Sequence, residues 1–339
     1  MITFEDLKNN NNTGDQENSI DALKNKELMS LDDNYWSKLL FFLIAMQENE
    51  TRELWENFVE NIKYKSHFFP QNDLLNIIKE MSHYATNTLP EGLILYRARE
   101  YTESDFRERE ETKKYLDMMK QEFCNLKLTD EDIFNKTTMF MMSLNLSEQE
   151  DKVRKITDSM KKIGDQQAPF WGFDKKNSDA PPSLNAKEGR ANAKGISYLY
   201  TALDEKTAIL ELRPQLGKMF NIGKIQVTKQ AKIFDFTYSS SDIEDKEYTK
   251  SINLYTISEQ FSKPNFGDSW EYLPTQYLCE YIRRLGFDGI KYKSSVSVDG
   301  YNILLFDTQE DTRLYDIIES KVFLVKSLNI NIEQVYPMN

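Results

Sequence analysis

Four segments of this 339-residue chain carry reactive side chains in an ordered pattern: LYRAR (95–99), GRANAKGISYLYTALDEKTAILELRP (189–214), PTQYLCEYIRRLGFDGIKYKSS (274–295) and DGYNILLF (299–306). Their residue types suit one kind of chemistry. A fixed carboxylate such as Glu211 stabilises positive charge developing on a sugar carbon and accepts a hydrogen bond from a sugar hydroxyl. Without a glycine-rich loop, a planar guanidinium such as Arg97 grips a diphosphate better than an ammonium does. An aromatic face such as Tyr200 attracts a cationic ring, worth roughly 0.5–2 kcal/mol. A serine hydroxyl donates to a phosphate or carboxamide oxygen. Each residue also has a plain structural use. Glu211 fits an exposed helix end, Arg97 a buried ion pair, Tyr200 core packing, and Ser294 or Ser295 a turn after a strand.

The elements that must position these residues can be read from periodicity. From Asp33 to about Thr88 the pattern is helical: Trp36, Leu39, Leu40, Leu43 and Ile44 recur three and four apart, as do Leu54, Trp55, Phe58, Val59 and Ile62. A third helix follows Pro70, and Pro90 breaks the pattern. Gly92–Arg99 and Ile196–Thr201 read as strands, and Asp204 caps a short helix ending before Pro214. Phe220–Thr228 and Lys232–Thr237 read as one β-hairpin, Gly289–Lys293 and Asn302–Asp307 as another. Between them lie a polar helix (about 242–262) and a helix opened by Pro274 and closed by Gly286. Two short strands finish the chain. Many short strands with few intervening helices indicate an α+β fold rather than a doubly wound sheet.

Composition excludes several function classes. A formal charge of −12, with no basic block free of acids, argues against a nucleic-acid partner. Two cysteines, Cys124 and Cys279, cannot build a disulfide framework and fit a reducing compartment. The polar, acidic start is unlike a signal peptide. The longest apolar run, Leu39–Met46, is far short of the ~20 residues that span a bilayer. A soluble cytoplasmic protein with no membrane contact is expected. The only histidines, His67 and His83, lie in the helical N-terminal part, so a zinc site and a Ser-His-Asp hydrolase are both unexpected. Neither a Rossmann fingerprint nor a P-loop occurs.

Taken together, G-R-x-N-x-x-G, then Y-L-Y, then A-x-x-E-x-R-P, in that order and spacing, resemble the RES domain, whose name comes from its Arg, Glu and Ser. The resemblance spans roughly residues 92–310, interrupted at 101–165. It implies an ADP-ribosyltransferase-like mixed β core with surrounding helices, here preceded by an all-α N-terminal segment. It also implies cleavage of the nicotinamide–ribose bond of NAD by water or phosphate, with NAD as substrate and no cofactor or metal. Members often act as growth-inhibiting toxins restrained by a small helix-turn-helix antitoxin. Carried over, the family Arg falls on Arg97, the Glu on Glu211, a substrate-contacting Tyr on Tyr200 and the Ser on Ser294, with Ser295 as the alternative register. Arg190 and Asn192 occupy the G-R-x-N positions of the binding loop. The reading requires the Glu211 carboxylate and the Arg97 guanidinium to face one cleft. The competing activity is transfer of ADP-ribose to a protein or metabolite, disfavoured by the lack of a Glu-x-Glu at 209–211.

The expected layout is a disordered 1–30, a helical domain over 31–90, and a RES-like catalytic domain over 91–339 with a helical insertion at about 101–165. The helices and the insertion depart from compact family members. The Trp36/Leu40/Phe41/Leu43 stripe suggests that the helices supply homodimer contacts or self-restraint in place of an antitoxin or other inhibitory protein.

Overall fold

The structure is a computed structural model that describes residues 33–70, 72–122, 170, 172–237, 248–262 and 269–328, with isolated positions 127, 129, 130, 154 and 158. The expected disordered start and most of the expected helical insertion lie outside the described residues. Among the described residues the first elements are α1 (Asp33–Glu60), continued by one π-helical turn over Asn61–Lys65, and α2 (Asp73–Met81), capped where the Asn72 side chain accepts from the Leu74 N–H. Then come β1 (Thr86–Leu89), β2 (Ile94–Tyr101), α3 (Glu103–Glu108), α4 (Glu110–Glu122), α5 (Lys175–Ser178), β3 (Leu199–Ala202) and α6 (Glu205–Leu210). The rest is β4 (Met219–Val227), β5 (Ala231–Asp235), α7 (Tyr248–Ser262), α8 (Leu273–Arg284), β6 (Gly289–Lys293), β7 (Tyr301–Leu305) and β8 (Tyr315–Leu324).

The architecture is α+β: one eight-stranded sheet in the order β1-β5-β6-β7-β3-β2-β4-β8, with helices against it. Every pairing is antiparallel except β5–β6. The hairpin expected from 220–228 and 232–237 does not form. A three-residue loop favours one, but β2 and β8 occupy both edges of β4, so β5 pairs instead with β1 and β6. The β6–β7 hairpin forms as expected. Thr86–Leu89, expected within the helical stretch, is a strand, because its backbone pairs with β5. A single strand, β8, stands where two short ones are expected among the described residues.

Each sheet face is buried in its own cluster. On one, Leu95, Leu199, Ile225, Ile233, Ile303 and Leu305 pack together. On the other, Phe234, Ile290, Tyr292 and Leu304 pack against α7 and α8 (Leu254, Ile257, Leu278, Ile282). Trp55, Phe58, Ile62, Leu74 and Ile78 of the N-terminal helices join that same cluster. The apolar stripe of α2 and that of the C-terminal part of α1 are therefore buried against the helices that back the site. Among the described residues, no helix is long and apolar enough to cross a membrane.

Candidate active site

Strand register builds the floor. Tyr96, Ala202, Asn302 and Tyr292 lie directly opposite one another across β2, β3, β7 and β6. Side chains alternate along a strand, so these four share one face. Above it sits α6. The Asp204 side chain accepts from the Thr207 N–H and hydroxyl, and Thr207 and Ala208 are buried beneath the helix. The helix stops at Glu211, its C-cap, because Arg213 takes a left-handed φ of 50° and Pro214 cannot continue the turn.

The Glu211 carboxylate is held through one oxygen. Oε1 accepts from the Ser294 hydroxyl at 2.7 Å and from the Asn302 side-chain amide at 2.6 Å. Both bonds fall on Oε1, and the residue as a whole is exposed. Ser294 is itself fixed in a turn, where its hydroxyl oxygen accepts from the N–H groups of Val296 and Ser297. The turn is clamped to α6 by a hydrogen bond between the hydroxyls of Thr207 and Ser297. Gly300 closes it, and a Cβ there would stand 2.4 Å from the Thr207 hydroxyl oxygen.

The G-R-x-N loop forms the next wall. The Asn192 amide donates to the carbonyls of Lys187, Ala193 and Ile196, and its oxygen accepts from the Tyr200 hydroxyl at 2.6 Å. That hydroxyl also accepts from the Ala191 N–H. The start of α8 anchors the loop from outside: Thr275 donates to the carbonyl of Arg190 and Gln276 to that of Gly189. A Cβ on Gly189 would lie 2.9 Å from both the Asn192 oxygen and the Tyr200 hydroxyl, so only glycine lets the loop approach the ring. Burial raises the Tyr292 phenol well above its usual range. The Glu211 carboxylate pushes the same way, and the Arg190 guanidinium opposes it. Burial, with Tyr292 nearby, also holds the Tyr200 phenol well above its ordinary value. Both rings stay neutral, and Tyr292 has a cation and an anion beside it.

Among the described residues, Arg97 lies apart from Glu211, on the other face of the sheet. Residue 97 is out of phase with Tyr96, so its side chain leaves the opposite face of β2. There its Nη1 donates to the carbonyl of Ser178 at 3.1 Å and to that of Asp179. Burial, reinforced by Arg99, lowers its pKa to about 10 against the opposing Asp179 and Tyr315. Asp179 in turn accepts from Arg313 and from the Tyr315 hydroxyl.

Of the sequence-derived set, Glu211, Ser294, Arg190, Tyr200 and Asn192 thus gather on one face, while Arg97 does not. Ser295 is exposed, and Ser294 is the serine on the carboxylate. Asn192 is committed to its own loop. Sequence reasoning missed Asn302 and Tyr292. The available signal was a polar residue inside the apolar strand YNILL, because a buried amide needs a partner. Among the described residues, no group of three or more His, Cys, Asp or Glu is placed to hold a metal ion.

A mixed sheet with a tethered glutamate over its centre, flanked by a G-R-x-N loop, defines an α+β protein with a carboxylate-centred site. The RES domain model matches residues 154–324, half of the chain, and the chain belongs to that family. The match covers the whole constellation around Glu211 and excludes β2 with Arg97. No curated protein matches the chain. Among solved structures, the chain is similar to a crystal structure of the M. tuberculosis MbcT-MbcA toxin-antitoxin complex. The identity is 14% and the TM-score 0.30, over 43% of this chain and 76% of that one.

Proposed function

We propose that the protein cleaves the nicotinamide–ribose bond of NAD, with Glu211 as the catalytic carboxylate. The observation that carries this reading is the tether on Glu211: two donors occupy Oε1 and leave Oε2 for the substrate. As the C1′–N bond breaks, its electron pair passes to the pyridinium nitrogen, and nicotinamide leaves neutral. The ribosyl cation left behind is stabilised by the adjacent carboxylate, which also accepts from the 2′-OH. An oxygen of water or phosphate then bonds to C1′, and an attacking water releases its proton to solvent. Neutral Tyr200 and Tyr292 offer aromatic faces to the cationic ring. Arg190 supplies the charge for the diphosphate, in place of Arg97, which holds the far face of the sheet together.

The family resemblance supports the same reading and extends it to a growth-inhibiting toxin in the cytoplasm, restrained by a helix-turn-helix antitoxin or another inhibitory protein. The N-terminal helices buttress the site from behind. Phe41 of α1, 74% exposed, remains the proposed dimer contact. The test is nicotinamide release from NAD by the full-length protein and by Glu211→Gln. The expected loss is at least about 100-fold, the scale of removing a transition-state charge partner. Release undiminished in the variant defeats the assignment. Free ADP-ribose as product means hydrolysis, and a phosphorylated product formed only with phosphate present means phosphorolysis.

A further inference from the structure

We infer that Asn302 is the positioning residue that orients Glu211, an assignment resting on Glu211 being the catalytic carboxylate. Asn302 is 4% exposed, in a strand whose neighbours Ile303, Leu304 and Leu305 are buried aliphatics. An amide in that setting is costly unless its donors are used. One is: Nδ2 reaches Oε1 of Glu211 at 2.6 Å, across 91 residues of sequence.

The two tethers differ in kind. Ser294 donates from a turn at the end of β6, and that turn is bonded to α6 through the Thr207–Ser297 contact. Asn302 donates from the sheet floor, where β3 and β6 pair with it on both sides. It is therefore the fixed reference that ties the glutamate, on an exposed helix end, to the rigid part of the fold. Because both donors crowd onto Oε1, they select the carboxylate rotamer and leave Oε2 as the oxygen that meets the ribose. A lone serine tether would let the carboxylate pivot about its terminal torsion, which is broad for glutamate.

This predicts a response in pH that a packing role does not. Asn302→Asp is nearly isosteric and sets a second carboxyl against Glu211 within hydrogen-bond distance. Two carboxylates that close cannot both ionise, so the pair keeps one proton to a pH above the ordinary carboxylate range. While that proton is held, the Asp O–H still donates to Glu211 and the geometry survives. Once it is lost, the two charges repel and the glutamate swings away. Among the described residues, the ionisable groups near the pair include Tyr292 on β6, which the Arg190 guanidinium also influences, and Tyr96 further along the same row on β2. Burial holds the Tyr292 phenol well above its ordinary value, so it carries no charge over this range.

The experiment follows NAD cleavage by the full chain from about pH 5 to 9 for wild type, Asn302→Asp and Asn302→Ala. It is paired with the ¹³C titration of the Glu211 carboxyl and with melting curves. Asn302→Asp is expected to retain activity at low pH and to gain a falling limb as pH rises, absent from wild type, with the Glu211 signal titrating in two coupled steps. Asn302→Ala is expected to lose about tenfold in kcat with KM little changed and a profile parallel to wild type. A parallel profile and an unaltered Glu211 titration in Asn302→Asp overturn the inference. If that variant does not fold, an unchanged kcat in Asn302→Ala overturns it. Should wild type leave NAD intact, the proposed activity falls, while the titration still decides whether residue 302 governs Glu211.

Discussion

Removing the Ser294 hydroxyl separates local stability from catalysis and can be followed quantitatively. Ser294→Ala deletes the donor to Oε1 and the acceptor for the Val296 and Ser297 N–H groups. A hydrogen bond to a charged group contributes about 1.5–3 kcal/mol. Glu211 is exposed, so solvent screens the loss and the lower end applies. The two N–H groups lie in a surface turn where water replaces the hydroxyl, adding about 0.5 kcal/mol or less. The expected destabilisation is thus about 1.5–2 kcal/mol, read as a fall of a few degrees in melting temperature. Activity should drop by about 10–30-fold, mainly in kcat, because one of two tethers on the carboxylate is gone. A double-mutant cycle with Glu211→Ala isolates the pair, and its coupling should come to about 1–1.5 kcal/mol. Additive stabilities, with activity in Ser294→Ala within twofold of wild type, would show that the serine is a turn residue and nothing more.

Three further outcomes follow from the geometry. Arg190→Ala should raise KM for NAD by about tenfold or more with little effect on melting, whereas Arg97→Ala should lower the melting temperature and leave KM nearly unchanged. Kinetics and melting of the two variants decide it, and the reverse result would overturn the assignment of faces. Gly189→Ala should cost about 1–3 kcal/mol and weaken NAD binding, since the new methyl meets both the Asn192 oxygen and the Tyr200 hydroxyl; calorimetric melting with and without NAD measures both. Tyr198, Tyr200, Tyr292 and Tyr315 all have folded pKa values raised above 10.0, chiefly by burial. Groups raised in this way contribute stability that is complete below the unfolded pKa and lost as pH climbs above it. Arg97, lowered to about 10 from 12.5, acts in the opposite sense over the same window, but as one group against four. Urea midpoints should therefore fall steeply above pH 10.0, with tyrosinate absorbance appearing on unfolding; a midpoint flat to about pH 11 refutes this.

The helices were legible because burying one face imposes a 3.6-residue period on the sequence: Trp55, Phe58 and Ile62 do reach the core. The start of α6 was legible from Asp204 and the end of α8 from Gly286, since caps answer to local backbone chemistry. Residue types and order also sufficed to single out Glu211, Ser294, Tyr200 and the G-R-x-N loop. Pairing partners were not legible. The short link between β4 and β5 suggested a hairpin, but the choice of partner belongs to strands far away in the chain. Arg97 shows the same limit: Tyr96 and Arg97 are adjacent in sequence and face opposite sides of the sheet. Asn302 reached Glu211 only through folding, 91 positions apart. By itself the sequence determined which side chains could do chemistry and which local elements carry them, because propensity, capping and periodicity act over a few residues. Which of those side chains meet was decided by the tertiary structure, because strand register and the pleat assign each one a face, and both are set by long-range pairing.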